Sequence, residues 1–328
     1  MESLNEAFFA LILFFTLPWV IFSLASTLAD VGVGYIDEWL LQKFKTDHTT
    51  EGIDAPGQLL LISGLFGLVT SIITVLLVSL TPLEFNLSTA SFAYGFSAGV
   101  LEVLWLIPYF YAINRSGAMD ATPLLQSIPI FSLIFGIAFF NEIPAVIHVV
   151  AAFIILSGAF LLNYSPSLRK LEHRTIVLML LASSIISLGY FLFKDAAIEA
   201  NFISALFANG IGMGFLSIFI WIAWKPYRDH FIAQFRTFDT KIIALQTANE
   251  GLYAFGALLN QFAIVIGPSV MLVSAMNAFH PIFTLLIGMI LSRLSLGRYE
   301  HAFSGLSKYT KTVAIIAIAT GTILISMS

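Results

Sequence analysis

Long apolar runs separated by short polar stretches recur along the whole of this 328-residue chain. Ten are marked, at about 7–29, 58–81, 89–113, 117–140, 144–163, 174–195, 202–224, 241–266, 269–292 and 310–327. A helix rises ~1.5 Å per residue, so ~20 apolar residues cross the hydrocarbon core of a bilayer. Nearly all ten runs suffice. Backbone groups find no water in that core, so only helices or the strands of a closed barrel can span it. The runs lack the long alternation of barrel strands. The pattern predicts an all-α polytopic membrane protein with ten transmembrane helices. The polar stretch from Asp37 to Gln58 reads as a solvated loop, with a short amphipathic interfacial helix at 35–44 leading into it. Two more interfacial candidates lie at 226–238 and 298–308. Asp30 and Asp195 fall near the ends of the first and sixth runs, where they cap helices or meet water, and Lys194 snorkels beside Asp195.

The runs repeat. The octet from Pro129 to Gly136 (PIFSLIFG) returns 152 positions later as Pro281 to Gly288 (PIFTLLIG), with five identities and a Ser132/Thr284 exchange. Each octet follows a run that carries a glutamate, Glu102 or Glu250. Asp30 pairs with Asp195 and Gly64 with Gly210 in the same frame. Residues 1–165 and 166–328 then form two units of five helices each. Five is odd, so the second unit enters the membrane from the opposite face, and the two copies are inverted repeats.

Composition narrows the class. The chain is 59% hydrophobic and 10% charged, where a soluble domain carries roughly 25% charged residues. With no cysteine, disulfides, thiolate metal sites and cysteine nucleophiles are excluded. A net charge of −4 without a basic cluster gives no footprint for nucleic acid. No metal-ligand spacing, nucleotide loop or catalytic triad stands out, so neither an enzyme nor a cofactor is expected. The acidic N-terminus lacks the basic start of a cleaved signal peptide, and the first run reads as a retained helix. Of the 15 Lys and Arg, fourteen fall in loops after odd-numbered runs and only Lys194 on the other face. The positive-inside rule puts both termini outside the cytoplasm, in the cell (plasma or inner) membrane.

Candidate chemistry is concentrated in a few runs. A mid-membrane carboxylate costs ~2.5–3.5 kcal/mol on insertion scales, so Glu102 and Glu250 should face protein or a wet cavity. Around Glu102, Gly95 and Gly99 make one side small while Trp105 and Tyr109 make the other aromatic, a shape that leaves room for a ligand, and the two glycines also form a GxxxG that allows close helix approach. Glu250 has Asn249 beside it and Tyr253 at i+3. Two carboxylates at matching depth can bind protons or a cationic substrate; alternatively each is a hydrogen-bonded structural residue. Pro129 and Pro281 are hinge candidates. Proline removes a donor and frees a carbonyl one turn back, and in a membrane helix such groups often face a cavity. Gln126 stands just before one proline, Asn277 and His280 before the other. His280 alone is no metal signal, and His148 reads as structural. The Gly210, Gly212, Gly214 cluster is a packing signal.

The residues from Gln126 through Pro129 to Gly136, closing with Asn141-Glu142, and from Gly267-Pro268-Ser269 into His280-Pro281 and on to Gly288, resemble the drug/metabolite transporter superfamily, in its EamA-like branch. The stretch from Asn249 through Asn260-Gln261 to Pro268 is similar to that branch as well. The resemblance implies a central cavity lined by the third, fourth, eighth and ninth helices with contributions from the first and sixth, alternating access between the halves, and export or exchange of a small organic metabolite. Partners would be that solute, protons and the lipid bilayer; the oligomeric state is unspecified. Glu142 departs from the repeat, since Leu291 to Leu294 stand in its place in the second half. Other readings are an uncoupled uniporter or exchanger with structural glutamates, and a non-transporting lipid-binding or sensory membrane protein.

Overall fold

The computed structural model describes residues 17–47, 55–116, 121–163, 172–237, 240–293 and 308–326. Among the described residues the regular structure is helical throughout: α1 Pro18–Asp47, α2 Ala55–Leu80, α3 Thr89–Leu104, α4 Leu106–Ser116, α5 Ile128–Phe139, α6 Val146–Asn163, α7 His173–Glu199, α8 Phe202–Ala223, α9 Lys225–Thr237, α10 Thr240–Ile266, α11 Val270–Ala275, α12 His280–Arg293 and α13 Lys308–Ser326. Two 3₁₀ turns, Thr122–Ser127 and Met276–Phe279, precede α5 and α12. Five stretches are long and apolar enough to cross a membrane: Pro18–Asp37, Leu59–Leu80, Thr89–Ser116, His173–Glu199 and Phe202–Ala223. Shorter apolar helices cover Leu124–Phe139, Val146–Leu161, Val270–Thr284 and Thr312–Leu324. Helix α10 is as long, but Asn249, Glu250, Asn260 and Gln261 are buried along it and dilute its hydropathy.

The first helix departs from expectation. Residues 7–16 and 298–307 lie outside the described residues, so the start of the first run and most of one interfacial candidate are not placed. The chain then stays helical from Pro18 to Asp47, well past residue 29. The interfacial helix expected at 35–44 is the second half of this one helix, and the expected loop from Asp37 is helical through Asp47. Its polar positions explain why. Ser23, Thr27, Asp30, Gly34 and Asp37 are spaced by four, three, four and three, which puts them on one face of a helix. That face is turned into the protein, with Ser23, Thr27 and Asp37 buried. Asp30 is therefore mid-helix and not at a helix end, whereas Asp195 stands one turn from the end of α7, so the two do not occupy matching places. The third run also divides at Trp105. Pro108 has no N–H for the Leu104 carbonyl, and α3 stops there.

Lipid-side association gains nothing from the hydrophobic effect, so helices pack through small residues. Helix α2 lies on α8, α6 on α13, α1 on α10, and α3 with α4 on α7. At the α2–α8 seam Gly67 and Gly210 face each other's backbones, and Gly64 meets Ser217. At the α6–α13 seam Gly158 meets Ala314, and Gly321 meets Ile155 and Ala151. Helix α3 also packs broadly on α8, where a Cβ on Gly99 would strike the Asn209 carbonyl and one on Gly212 the Phe96 carbonyl. The small side of α3 is thus filled by α8; it is not room for a ligand. The counterpart contact of α10 with α2 is only a short seam. Apolar side chains such as Ile72, Ile73 and Leu76 on α2 and Phe215 and Phe219 on α8 cover the outside.

The close approach at Gly212 has a measurable consequence. Gly212→Val forces side chain into backbone and should cost ~1–3 kcal/mol, read as a lowered Tm of the detergent-solubilised protein. Gly251→Ala, where a Cβ meets nothing within 4 Å, should leave Tm unchanged or raise it. Equal Tm for wild type and Gly212→Val would contradict this packing.

Candidate functional site

The two ends of the bundle are held differently. At one, Arg115 in the last turn of α4 pairs with Glu172 before α7, Nη2 to Oε2 2.7 Å, both side chains largely exposed. The stretch expected to be helical at 226–238 is covered by α9, whose buried Tyr227 shares a 2.7 Å hydroxyl hydrogen bond with Tyr111 of α4. At the other end, α5 closes on Asn141 in a left-handed conformation (φ 53°), and the Glu142 N–H donates back to the Gly136 carbonyl at 3.0 Å. That turn aims the Glu142 carboxylate inward. It accepts from Lys194 Nζ at 2.6 Å and from the Val270 N–H at 2.9 Å. The Lys194 side chain is only 12% exposed, so it is paired and does not snorkel. Edge-to-face rings run across the same end: Phe22 on Phe262 (5.0 Å), Phe262 on Phe202 (5.3 Å) and Phe202 on Phe193 (5.8 Å). These rings come from α1, α10, α8 and α7 and tie those four helices together.

Between the ends lies a cavity of about 110 Å³. Glu102, Trp105, Tyr109, Gln126, Asn249, Glu250, Tyr253, Asn277 and His280 all line it. The residues singled out by spacing and residue type thus meet in one place, from α3, α4, α10, α12 and both 3₁₀ turns. Asp30, Asp37, Tyr190, Asn260 and Gln261 line it as well. The polar stripe of α1 is the signal that points to the two aspartates.

Each polar cluster ties separate helices together. Glu102 Oε2 accepts from Asn209 Nδ2 at 2.9 Å and Gln261 Nε2 at 3.0 Å, joining α3, α8 and α10. Glu250 Oε1 accepts from the Ser63 hydroxyl at 2.9 Å, and Asn249 Nδ2 donates to Asp37 Oδ1 at 2.7 Å, joining α10 to α2 and α1. Trp105 stacks at a tilt on Tyr109, centroids 4.9 Å apart. Tyr253 stands against Trp105, and Tyr190 against Asn260.

The two prolines occupy matching positions. Each is the second residue of an α-helix that follows a 3₁₀ turn. Pro281 cannot donate to the carbonyl four residues back, which is that of Asn277. That carbonyl instead accepts from the His280 N–H and from Gln126 Nε2 at 3.1 Å. Asn277 Oδ1 in turn accepts from Thr27 Oγ1 at 3.1 Å. The His280 ring lies 3.3 Å from the Thr284 hydroxyl. Below the prolines, Ser132 meets Ser187 (2.9 Å) and Ser274 (3.4 Å). Among the described residues no group of three or more His, Cys, Asp or Glu is arranged to hold a metal ion.

Replacing Gln261 by Leu removes one of the two donors to Glu102 and should lower stability by ~1–3 kcal/mol. Paired with Asn209→Leu in a double-mutant cycle, the losses should differ from a simple sum by more than ~0.5 kcal/mol. Strict additivity in thermal unfolding would mean that the two amides do not share one carboxylate.

No match to this chain was found among curated proteins. A solved structure titled only as a protein crystal structure is similar over 97% of this chain and 96% of that one, with 15% sequence identity and a TM-score of 0.60, a likeness of fold. Residues 50–164 match the EamA-like transporter family, consistent with the drug/metabolite transporter superfamily, and with the apolar helices this match points to an integral membrane protein that transports small solutes.

Proposed function

We propose that the protein is a secondary transporter that moves a small organic metabolite by alternating access, with proton-coupled export as its mode. The observation that carries this reading is the central cavity, which draws its lining from both halves and holds the buried carboxylates Asp37, Glu102 and Glu250 and residues of both 3₁₀ turns. Ten helices in two inverted units, 1–165 and 166–328, are supported by the pairing of α1 with α10 and α3–α4 with α7, and by the twin 3₁₀-proline junctions.

The seams supply the moving parts. Broad packing of α3 on α8, the phenylalanine ladder and the Glu142 bridge close one end. The seam of α2 with α10 is short and carries the Ser63–Glu250 hydrogen bond, so it is the side that parts. Pro129 and Pro281 serve as hinges, because the 3₁₀ turns before them change length by exchanging i+3 for i+4 bonds. Fourteen of the 15 basic residues fall in loops after odd-numbered runs, as Arg115 does, so on this reading the charge rule assigns the Arg115 end to the cytoplasm and both termini to the opposite side. Glu250 is the better-placed ionisable ligand, because one of its oxygens has no partner. Glu102, with two amide donors on one oxygen, fits equally a tether between helices. That second observation keeps an uncoupled carrier in play. The cavity itself weighs against a non-transporting lipid-binding or sensory protein, in which these carboxylates would pack dry.

The test uses proteoliposomes loaded with a pH-sensitive dye and given pooled amines, amino acids, nucleosides or sugars. Wild type should move protons with at least one pool, and Glu250→Gln should reduce that signal about tenfold or more, as expected for a group that carries the coupling. Flux that persists in Glu250→Gln at the wild-type rate and with the wild-type pH dependence would reduce the glutamate to a structural role.

A further inference from the structure

We propose that the cavity takes an organic ammonium: a cation with N–H donors on an apolar or aromatic body, seated with its charged head in the corner formed by Asp37, Asn249 and Glu250. This deepens the transporter reading and rests on it.

The first observation is an imbalance of charge. Asp30, Asp37, Glu102 and Glu250 line the cavity, and no Lys or Arg does. An anion entering this space meets four carboxyl groups and no counter-charge, so its desolvation goes unmatched. The second observation is independent of charge. Three buried oxygens of the lining, Glu250 Oε2, Asn249 Oδ1 and Gln126 Oε1, have no hydrogen-bond partner. All three are acceptors. The amide and hydroxyl donors beside them are committed: Asn249 Nδ2 to Asp37, the Ser63 hydroxyl to Glu250, and Gln126 Nε2 to the Asn277 carbonyl; the lining donor left without a partner is the Trp105 indole N–H on the aromatic wall. With three spare acceptors against one spare indole donor, the site favours a ligand that brings N–H groups.

The rest of the lining selects the body of the ligand. The tilted Trp105–Tyr109 pair and Tyr253 beside it offer ring faces on the neighbouring wall. Such faces favour an apolar group next to a positive charge. A bare metal ion does not fit, because the acidic groups are not gathered into a ligand set. A quaternary ammonium matches the charge and the rings but leaves the three acceptors unpaired, so it should bind less well than its N–H-bearing parent.

The experiment is isothermal titration calorimetry on the full chain in nanodiscs, with empty nanodiscs subtracted. The probes are phenethylammonium, its trimethylated analogue, phenethyl alcohol and phenylacetate. Phenethylammonium should bind about tenfold or more tighter than the alcohol and the trimethylated ion, with phenylacetate weakest. Glu250→Gln should abolish the advantage of the ammonium over the alcohol. If that variant misfolds, the wild-type order of the four probes decides alone. Equal affinities, a preference for the alcohol or the acid, or no ammonium binding would overturn the proposal. Counterflow of labelled phenethylammonium and phenylacetate in proteoliposomes separates the two readings. Exchange of the acid without the amine would overturn the ammonium site and leave a transporter. Tight ammonium binding with no exchange of it would keep the site and overturn transport.

Discussion

Inside a bilayer every backbone carbonyl needs a donor from the protein, and the Asn277 carbonyl is where this requirement shapes the molecule. Pro281 withholds the donor that an unbroken helix would supply. The His280 N–H and, from the 3₁₀ turn before the other proline, Gln126 Nε2 at 3.1 Å supply donors instead. A local defect in one half is thus satisfied by a side chain beside the matching defect in the other. The two breaks meet at the cavity, and Thr27 of α1 joins them through the Asn277 side chain. Straight helices would leave neither the space nor the freed groups that line it.

Around that junction the packing is uneven, and the unevenness has a physical cause. Glycine lets α2 and α3 approach the backbone of α8 so closely that a single Cβ would collide. Such contacts, with the phenylalanine ladder and the half-buried Lys194–Glu142–Val270 bridge, consolidate one end. Among the described residues no glycine-to-backbone contact is found where α10 meets α2; a hydrogen bond from Ser63 to Glu250 joins that seam. On the proposed mechanism the strong seam and the weak one exchange roles during a cycle, and the carboxylate at the weak seam is the natural point for a ligand or proton to act.

Much of this was legible in the sequence because the deciding effects are local. A proline shows its missing donor wherever it stands, and a glutamate in an apolar run has to face the interior. Those two arguments led to Glu102, Glu250, Gln126, Asn277 and their aromatic neighbours, which the fold brings to one cavity. Asp30 and Asp37 were misread because polar density near residue 30 looks like a helix end; only the four-three spacing with Ser23, Thr27 and Gly34 shows a continuing helix with one wet face. On the glycine side of α3 the two readings compete: a GxxxG says that something approaches closely, and it is α8 and not a ligand that fills the space. Glu142 was noticed as an oddity of the repeat, but its partners Lys194 and Val270 lie 52 and 128 positions away, and no local pattern reports such a contact.

Because the chain has no cysteine, spin labels can be placed without altering the background, and the most direct test is a distance across the weak seam. Labels at Leu65 of α2 and Thr247 of α10, both exposed, would be measured by pulsed electron resonance in lipid nanodiscs across an acid-to-neutral pH series. A control pair at Tyr94 of α3 and Phe219 of α8 would report the strong seam. The account predicts two distance populations at each seam that trade weight in opposite directions as conditions change, one seam opening as the other closes. A single fixed distance at both seams under every condition would contradict alternating access about this cavity.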